Sequence, residues 1–241
     1  MEIISLSGVS KTYGQFTALQ NINLSIAAGQ VWCVLGDNGA GKSTLIKILA
    51  GLHAPSSGTM RIDGAPVVLQ SPREALDAGI ATVYQDLALV DALSIWRNFF
   101  LGQELTGRFG VLRTAEMKRI ATEQLQHLGI DIRDIETPVS QLSGGQRQVI
   151  AIARAIYFGA RVVILDEPTA ALGVKQSEMV LQFITAAKQQ GVAVVFITHN
   201  PRHAYQVGDY FTVLNHGEQL MVAARDEVSL PVLTEQMAGV R

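Results

Sequence analysis

The amino-acid sequence predicts an α/β fold: a mainly parallel β-sheet with helices, an N-terminal antiparallel β subdomain and an inserted α-helical subdomain. Three observations carry this. Short runs at Val31–Leu35, Val162–Leu165 and Val192–Ile197 are continuously apolar and rich in valine and isoleucine, which suits parallel strands buried on both faces. The opening segment instead alternates apolar and polar side chains at Ile22, Asn23, Leu24, Ser25 and Ile26, the period of a strand with one wet face. Between the first and second apolar runs, from about residue 86 to 157, the pattern turns mainly helical.

The elements follow in order. Antiparallel sheet extends to about Ala28, and the strand Val31–Leu35 then runs into a glycine-rich turn. Ser43 to Ala50 reads as a helix, stopped by Gly51. In the helical insertion, Ala115–Leu128 mixes charges with scattered apolar positions, and Trp96, Phe99 and Phe100 share one helical face. Core packing is the default reading of these aromatics, and a face for a partner protein the second. A further helix starts near Ser143. The second and third apolar strands are separated by a helix over Ser177–Gln189, and Phe211–Leu214 and Gln219–Ala223 flank a hairpin turn at Asn215-His216-Gly217-Glu218. The division is one domain over 1–241, with a core of about 1–85 and 158–241 and the helical part at about 86–157.

Composition narrows the function classes. The chain has 241 residues, 48% of them hydrophobic, enough to bury a large core without metals or disulfides. Its 19 basic and 21 acidic residues give a formal charge of −2, so it lacks the broad basic surface that nucleic acid favours, and no nucleic-acid partner is expected. Charged residues make up 17%, below the ~25% of ordinary soluble domains, a hint of surface covered by partners. The single cysteine, Cys33, lies in an apolar run and reads as a small core residue. No secretory leader is visible, and the apolar runs fall far short of the ~20 residues needed to cross a bilayer, so the chain reads as cytoplasmic with at most a peripheral membrane role.

Gly36-Asp37-Asn38-Gly39-Ala40-Gly41-Lys42-Ser43 fits G-x-x-x-x-G-K-[ST] and sits between a strand and a helix, as a phosphate-binding loop (P-loop) requires. Its glycines let backbone N–H groups curl around phosphate oxygens, and the helix N-terminus adds a favourable dipole. Lys42 can reach the β- and γ-phosphates, and Ser43 can ligate Mg²⁺. ATP or GTP is the implied ligand. The strand Val162–Leu165 ends in Asp166 and Glu167: the first suits Mg²⁺ and its water shell, leaving the second to orient an attacking water. Ser143-Gly144-Gly145-Gln146 opens another helix, a second anion-ready helix end in a chain whose one nucleotide needs a single loop.

Leu142-Ser143-Gly144-Gly145-Gln146, with Gly36 to Thr44 upstream and Val162 to Leu172 downstream, resembles the ATP-binding subunit of an ABC transporter over nearly the whole chain. The resemblance implies ATP with Mg²⁺, and two such subunits paired head to tail, each ATP held between one P-loop and the partner's LSGGQ. It implies adenine stacking for Tyr13, sensing of the γ-phosphate and a place near Mg²⁺ for Gln85, and γ-phosphate contact for His199. The family often carries an aspartate that reaches across the dimer where this chain has Gly173. The segments Val83–Leu89, Leu93–Gly102 and Thr169–Val174 are similar to bacterial sugar importers, especially those for monosaccharides. The implied function is ATP hydrolysis powering solute import through a separate integral-membrane permease, at the cytoplasmic face of the plasma membrane. The implied partners are a second copy or a homologous ATPase subunit and, indirectly, an extracytoplasmic solute-binding protein. Gln85 to Gly102 is expected to form the main permease contact and to display an apolar patch. The alternatives are an ABC ATPase acting on DNA or ribosomes, and a small-molecule kinase, which would have no need of LSGGQ.

Overall fold

The computed structural model describes residues 2–127 and 134–238. Strands β1 (Glu2–Tyr13) and β2 (Phe16–Ala27) form an antiparallel pair, and β3 (Val31–Leu35) begins a second sheet and leads into helix α1 (Lys42–Leu49). Then β4 (Ser57–Ile62) and β5 (Ala65–Val67) complete the first sheet in the order β2-β1-β4-β5. After α2 (Pro72–Asp77), β6 (Ile80–Val83) enters the second sheet and precedes the helical part: α3 (Ile95–Phe100), α4 (Thr114–His127) and α5 (Gly144–Tyr157). The chain returns through β7 (Val162–Asp166), α6 (Val174–Gln189), β8 (Ala193–Thr198), α7 (Pro201–Val207), the hairpin β9 (Tyr210–Asn215) and β10 (Glu218–Ala224), and α8 (Leu230–Met237).

The second sheet has the order β10-β9-β3-β8-β7-β6 and is parallel except for its β9–β10 hairpin. Its strands are apolar on both faces because both faces are covered. Val31, Cys33, Leu35, Val163, Leu165, Val194 and Phe196 point into one core, which they share with the aliphatic and aromatic side chains of α3 to α7. Trp32, Val34, Val162, Ile164, Val195 and Ile197 point into the other, against α1 and the first sheet. The alternation within each run is the period-2 geometry of a strand, and the continuous apolar character is its sum over two buried faces. In β2, by contrast, Ile22, Leu24 and Ile26 are buried while Asn23 and Ser25 face outward, as the sequence pattern predicts.

The helical part has no core of its own. Trp96, Phe99, Met117 and Val149 belong to the same cluster as Val163 and Val194 of the sheet. The expected apolar patch at the aromatics of α3 is therefore corrected: Trp96 is 4% exposed and Phe99 and Phe100 are 0%. Phe99 and Phe100 interlock with Tyr157 and Phe158 at the end of α5, at ring separations of 5.4–6.3 Å, and the Trp96 indole N–H donates to Glu136 at 2.8 Å. Asn98, fully buried, accepts from the Val90 N–H at 2.7 Å and donates to the carbonyls of Val90 and Leu93 at 3.0 and 3.1 Å, which pins the loop ahead of α3. The helix expected over Ala115–Leu128 spans Thr114–His127, and Leu128 lies outside the described residues. Among the described residues no helix is long and apolar enough to cross a membrane.

Parallel pairing brings the loops that matter together. Leu35 pairs with Thr198, Phe196 with Leu165, and Leu165 with Val83. The segments that follow β3, β8, β7 and β6 thus leave the same, carboxyl, edge of the sheet, where ligands of open α/β sheets bind.

Candidate active site

From Leu35 the backbone turns through Gly36–Gly41 into α1. Gly36 has φ +151°, and a Cβ there would lie 2.5 Å from the Leu214 carbonyl oxygen of β9; Gly41 has φ +106°, and its Cβ would lie 2.9 Å from the Ala18 carbonyl oxygen. Only glycine meets both the dihedrals and the space. The turn of the C-terminal hairpin buttresses the loop, because the Gly217 N–H donates to the Ala40 carbonyl at 3.0 Å and Gly217 in turn accepts from the Gln20 N–H at 2.8 Å. No side chain caps α1. Its first turn is left available to an anion, with the helix dipole behind it.

Lys42 is buried, and its ammonium donates to the carbonyls of Gly36 and Asp37 at 2.6 and 3.1 Å. It lies 3.8 Å from a Glu167 carboxylate oxygen. The lysine is thus held by carbonyls of its own loop, and a phosphate oxygen would offer it a stronger charge-assisted partner. Burial pushes the Asp166 carboxyl above its ordinary range; Glu167 adds to the rise and Lys42 opposes it. Glu167 adopts φ +50°, a left-handed conformation uncommon outside glycine. It is held there by its N–H, which donates to the Ile197 carbonyl at 3.0 Å. Its Oε2 pairs with His199 Nδ1 at 2.9 Å. A strained residue between Lys42 and His199 marks where sheet packing has over-determined a side chain's position.

A cleft of about 340 Å³ lies over this edge, lined by Asp37, Asn38, Gly39, Gly41, Lys42, Ser43 and Thr44 together with Gln85, Asp166 and Glu167. Three separate sequence motifs therefore converge. Gly36 and Ala40 stand behind the lining as backbone supports, and His199 joins through Glu167. Tyr13 is not among the lining residues: its ring stands edge-on to His53 at a centroid distance of 5.6 Å. Phe16, 66% exposed, lines the cleft beside Ala18. Sequence reading passed over Phe16; an exposed aromatic just past the Gly14 turn was the available signal.

Ser143, Gly144, Gly145 and Gln146 stand apart from this cleft, at the start of α5. Ser143 Oγ accepts from the Gln146 N–H at 3.3 Å, and Gln146 Oε1 accepts from the Ser143 N–H at 2.9 Å, a reciprocal capping box. The two glycines are packing requirements. A Cβ on Gly144 would lie 2.6 Å from Leu172 Cδ2, and one on Gly145 3.0 Å from the Gln176 carbonyl oxygen. The signature turn therefore rests directly on the segment running from Leu172 through Gly173 into α6. Gly173 is the N-cap of α6, makes no side-chain cap, and has open space around the position of a Cβ.

The ABC transporter family model matches residues 19–170 of this chain. The xylose/arabinose import ATP-binding protein XylG of Sulfolobus acidocaldarius is 41% identical over 238 residues, covering 99% of this chain and 94% of that protein. The fructose import ATP-binding protein FrcA of Rhizobium meliloti is 42% identical over 246 residues, covering 99% and 95%. Among solved structures, the ATP-binding cassette MJ0796, dimeric in a post-hydrolysis state with ADP and Pi, superposes with a TM-score of 0.75 at 29% identity over 92% of this chain and 99% of that one. With the phosphate loop, the paired carboxylates and the capped signature helix in place, these matches establish that the chain belongs to the ABC transporter family, as an ATP-binding subunit that hydrolyses ATP.

Proposed function

We propose that this chain powers the import of a sugar through a separate membrane permease, working as a head-to-tail dimer at the cytoplasmic face of the membrane. The convergence of Lys42, Ser43, Asp166 and Glu167 on one cleft carries the chemistry. The import names of the xylose/arabinose and fructose relatives support the direction and the substrate class. The dimeric MJ0796 cassette supports pairing. No feature of the fold favours the alternative that acts on DNA or ribosomes.

Phosphoryl transfer needs little beyond positioning and charge stabilisation. Lys42 and the N–H groups of Gly39 to Thr44 bind the β- and γ-phosphates, and Phe16, which lines the cleft, takes the adenine-stacking role expected of Tyr13. The oxygen donors Ser43, Asp166 and Gln85 line the same cleft, a hard set that suits Mg²⁺ completed by phosphate oxygens and water. That ion supplies charge neutralisation on the phosphates. Glu167 orients the attacking water and takes its proton, and His199, freed from Glu167, turns to the γ-phosphate. Ser143, Gly144, Gly145 and Gln146 face the nucleotide of the second subunit. The chain acts as one ATPase unit, with the helical part at about 86–157 carrying the signature turn.

Permease docking moves from the buried aromatics to the groove beside them. A cleft of about 420 Å³ is lined by Tyr84, Asp86, Leu87, Ala88 and Gln103 on one side and by Ala151, Arg154 and Ala155 of α5 and its C-cap Phe158 on the other. Of the segment from Gln85 to Gly102 only Asp86, Leu87 and Ala88 border it, Gln103 lies just past its other end, and Gln85 leads into the nucleotide cleft. Co-purification of the chain with its permease, followed by phosphate release measured with candidate sugars and their binding protein, tests the reading. Stimulation by a sugar supports it; a complex that no sugar stimulates overturns it.

A further inference from the structure

One half-buried polar contact at the catalytic edge is not used by the chemistry above. His203, on α7, has its Nδ1 3.0 Å from Thr169 Oγ1, and the two share a hydrogen bond. Thr169, only 7% exposed, stands two residues after Glu167; His203 stands four residues after His199. The bond therefore joins the two loops that carry Glu167 and His199. Each loop is also fixed at its own root. Ala170 N–H donates to the Glu167 carbonyl at 3.0 Å, and Asn200 Oδ1 accepts from the N–H groups of Arg202 and His203 at 3.0 and 3.2 Å. Burial holds the His203 imidazole below its ordinary pKa; Glu178 of α6, itself paired with Gln206, pulls upward, and His199 adds to the fall. A neutral ring at this position can donate to or accept from the hydroxyl.

The side-chain link between the loops, Glu167 to His199, has to open when both groups turn to a nucleotide, leaving the backbone bond from Glu167 to Ile197 at the loop root. The Thr169–His203 bond lies outside the cleft lining and has no reason to open. We propose that His203, through Thr169, is a positioning residue that keeps the Glu167 loop and the His199 loop in register during hydrolysis. This rests on the reading of Glu167 and His199 as the hydrolytic pair. The same loop continues from Thr169 to Leu172, on which the signature glycine Gly144 packs, so a shift of one loop against the other also displaces the signature turn.

The test is steady-state phosphate release by the full chain with Mg-ATP, with thermal melting measured alongside. Losing one hydrogen bond between neutral groups shifts an equilibrium by roughly three- to tenfold. T169V, nearly isosteric, is expected to lower kcat by that factor with KM within about twofold. H203L, which removes the other partner, should match it, and the double variant should be no worse than either single one. T169S keeps the hydroxyl and H203N places an amide where Nδ1 stands; both are expected to restore kcat. The proposal is overturned if T169V and H203L turn over as the native chain does, if they raise KM with kcat unchanged, or if T169S is as impaired as T169V. E167Q is the control: should it retain turnover, the hydrolytic assignment fails, whereas an inactive E167Q beside a fully active T169V removes the positioning role alone.

Discussion

The P-loop and the signature turn are both glycine-rich starts of a helix, yet they are finished in opposite ways. At α1 no side chain caps the helix, and Lys42 folds back on the carbonyls of its own loop. At α5 the end is closed by Ser143 and Gln146. The glycines differ in the same sense. Gly36 and Gly41 are fixed by positive φ and by backbone atoms, whereas Gly144 is fixed by one leucine methyl. A helix start becomes a strong anion site when its capping side chain is withheld. A capped one can take only the N–H groups its cap leaves over, which suits a turn that completes a site already charged by the other subunit.

This contrast can be broken or sharpened experimentally. The largest effect should come at the open end: E167Q is expected to keep ATP binding but lose turnover by roughly 10²–10⁴-fold, the usual worth of a general base, and its ATP-bound form should run as a dimer in gel filtration. K42A should weaken nucleotide binding by roughly 10–100-fold, the loss of charge-assisted hydrogen bonds, read by equilibrium titration. Alanine scanning of the glycines separates the two ends. G41A meets backbone and forbidden φ and should abolish the nucleotide site, whereas G144A meets the flexible tip of Leu172 and should lower turnover while leaving monomer affinity near native. S143A removes a cap worth about 1 kcal/mol and should lower the melting temperature without changing monomer affinity. The smallest shift belongs to G173D. Open space receives the new side chain, which caps α6 for a gain of only a few tenths of a kcal/mol over glycine; hydrolysis, read as phosphate release, should change more than affinity.

The open end was legible in the sequence because its parts are contiguous: Gly36 to Thr44 states loop, lysine and helix in one stretch, and Val162 to Glu167 states strand and carboxylates in another. The strands were legible because burial on two faces leaves no polar residues to confuse the period. Relations between distant positions were not. Nothing near Thr169 announces His203, and nothing near Ala40 announces Gly217, since each bond is made by topology alone. The aromatics of α3, whose default reading as core holds while the expected apolar patch does not, were ambiguous for a different reason. A face of Trp96, Phe99 and Phe100 has the same spacing whether it meets Tyr157 and Phe158 or another protein, and only the packed neighbours decide. Asn98 was missed because a lone asparagine in a helix carries no signal that its amide is fully enclosed.

The hairpin turn that supports the phosphate loop sets a timetable for biosynthesis. Ala40 leaves the ribosome well before Gly217, whose N–H holds it. At ~5–20 residues per second of translation, the nascent loop waits on the order of ten seconds or more for its buttress. Through that interval the glycine-rich backbone lacks this hydrogen bond, and the cradle offered to ATP is unbuttressed. Full nucleotide affinity then follows closure of the Gly217 hairpin on the loop, which makes ATP binding a check on that assembly.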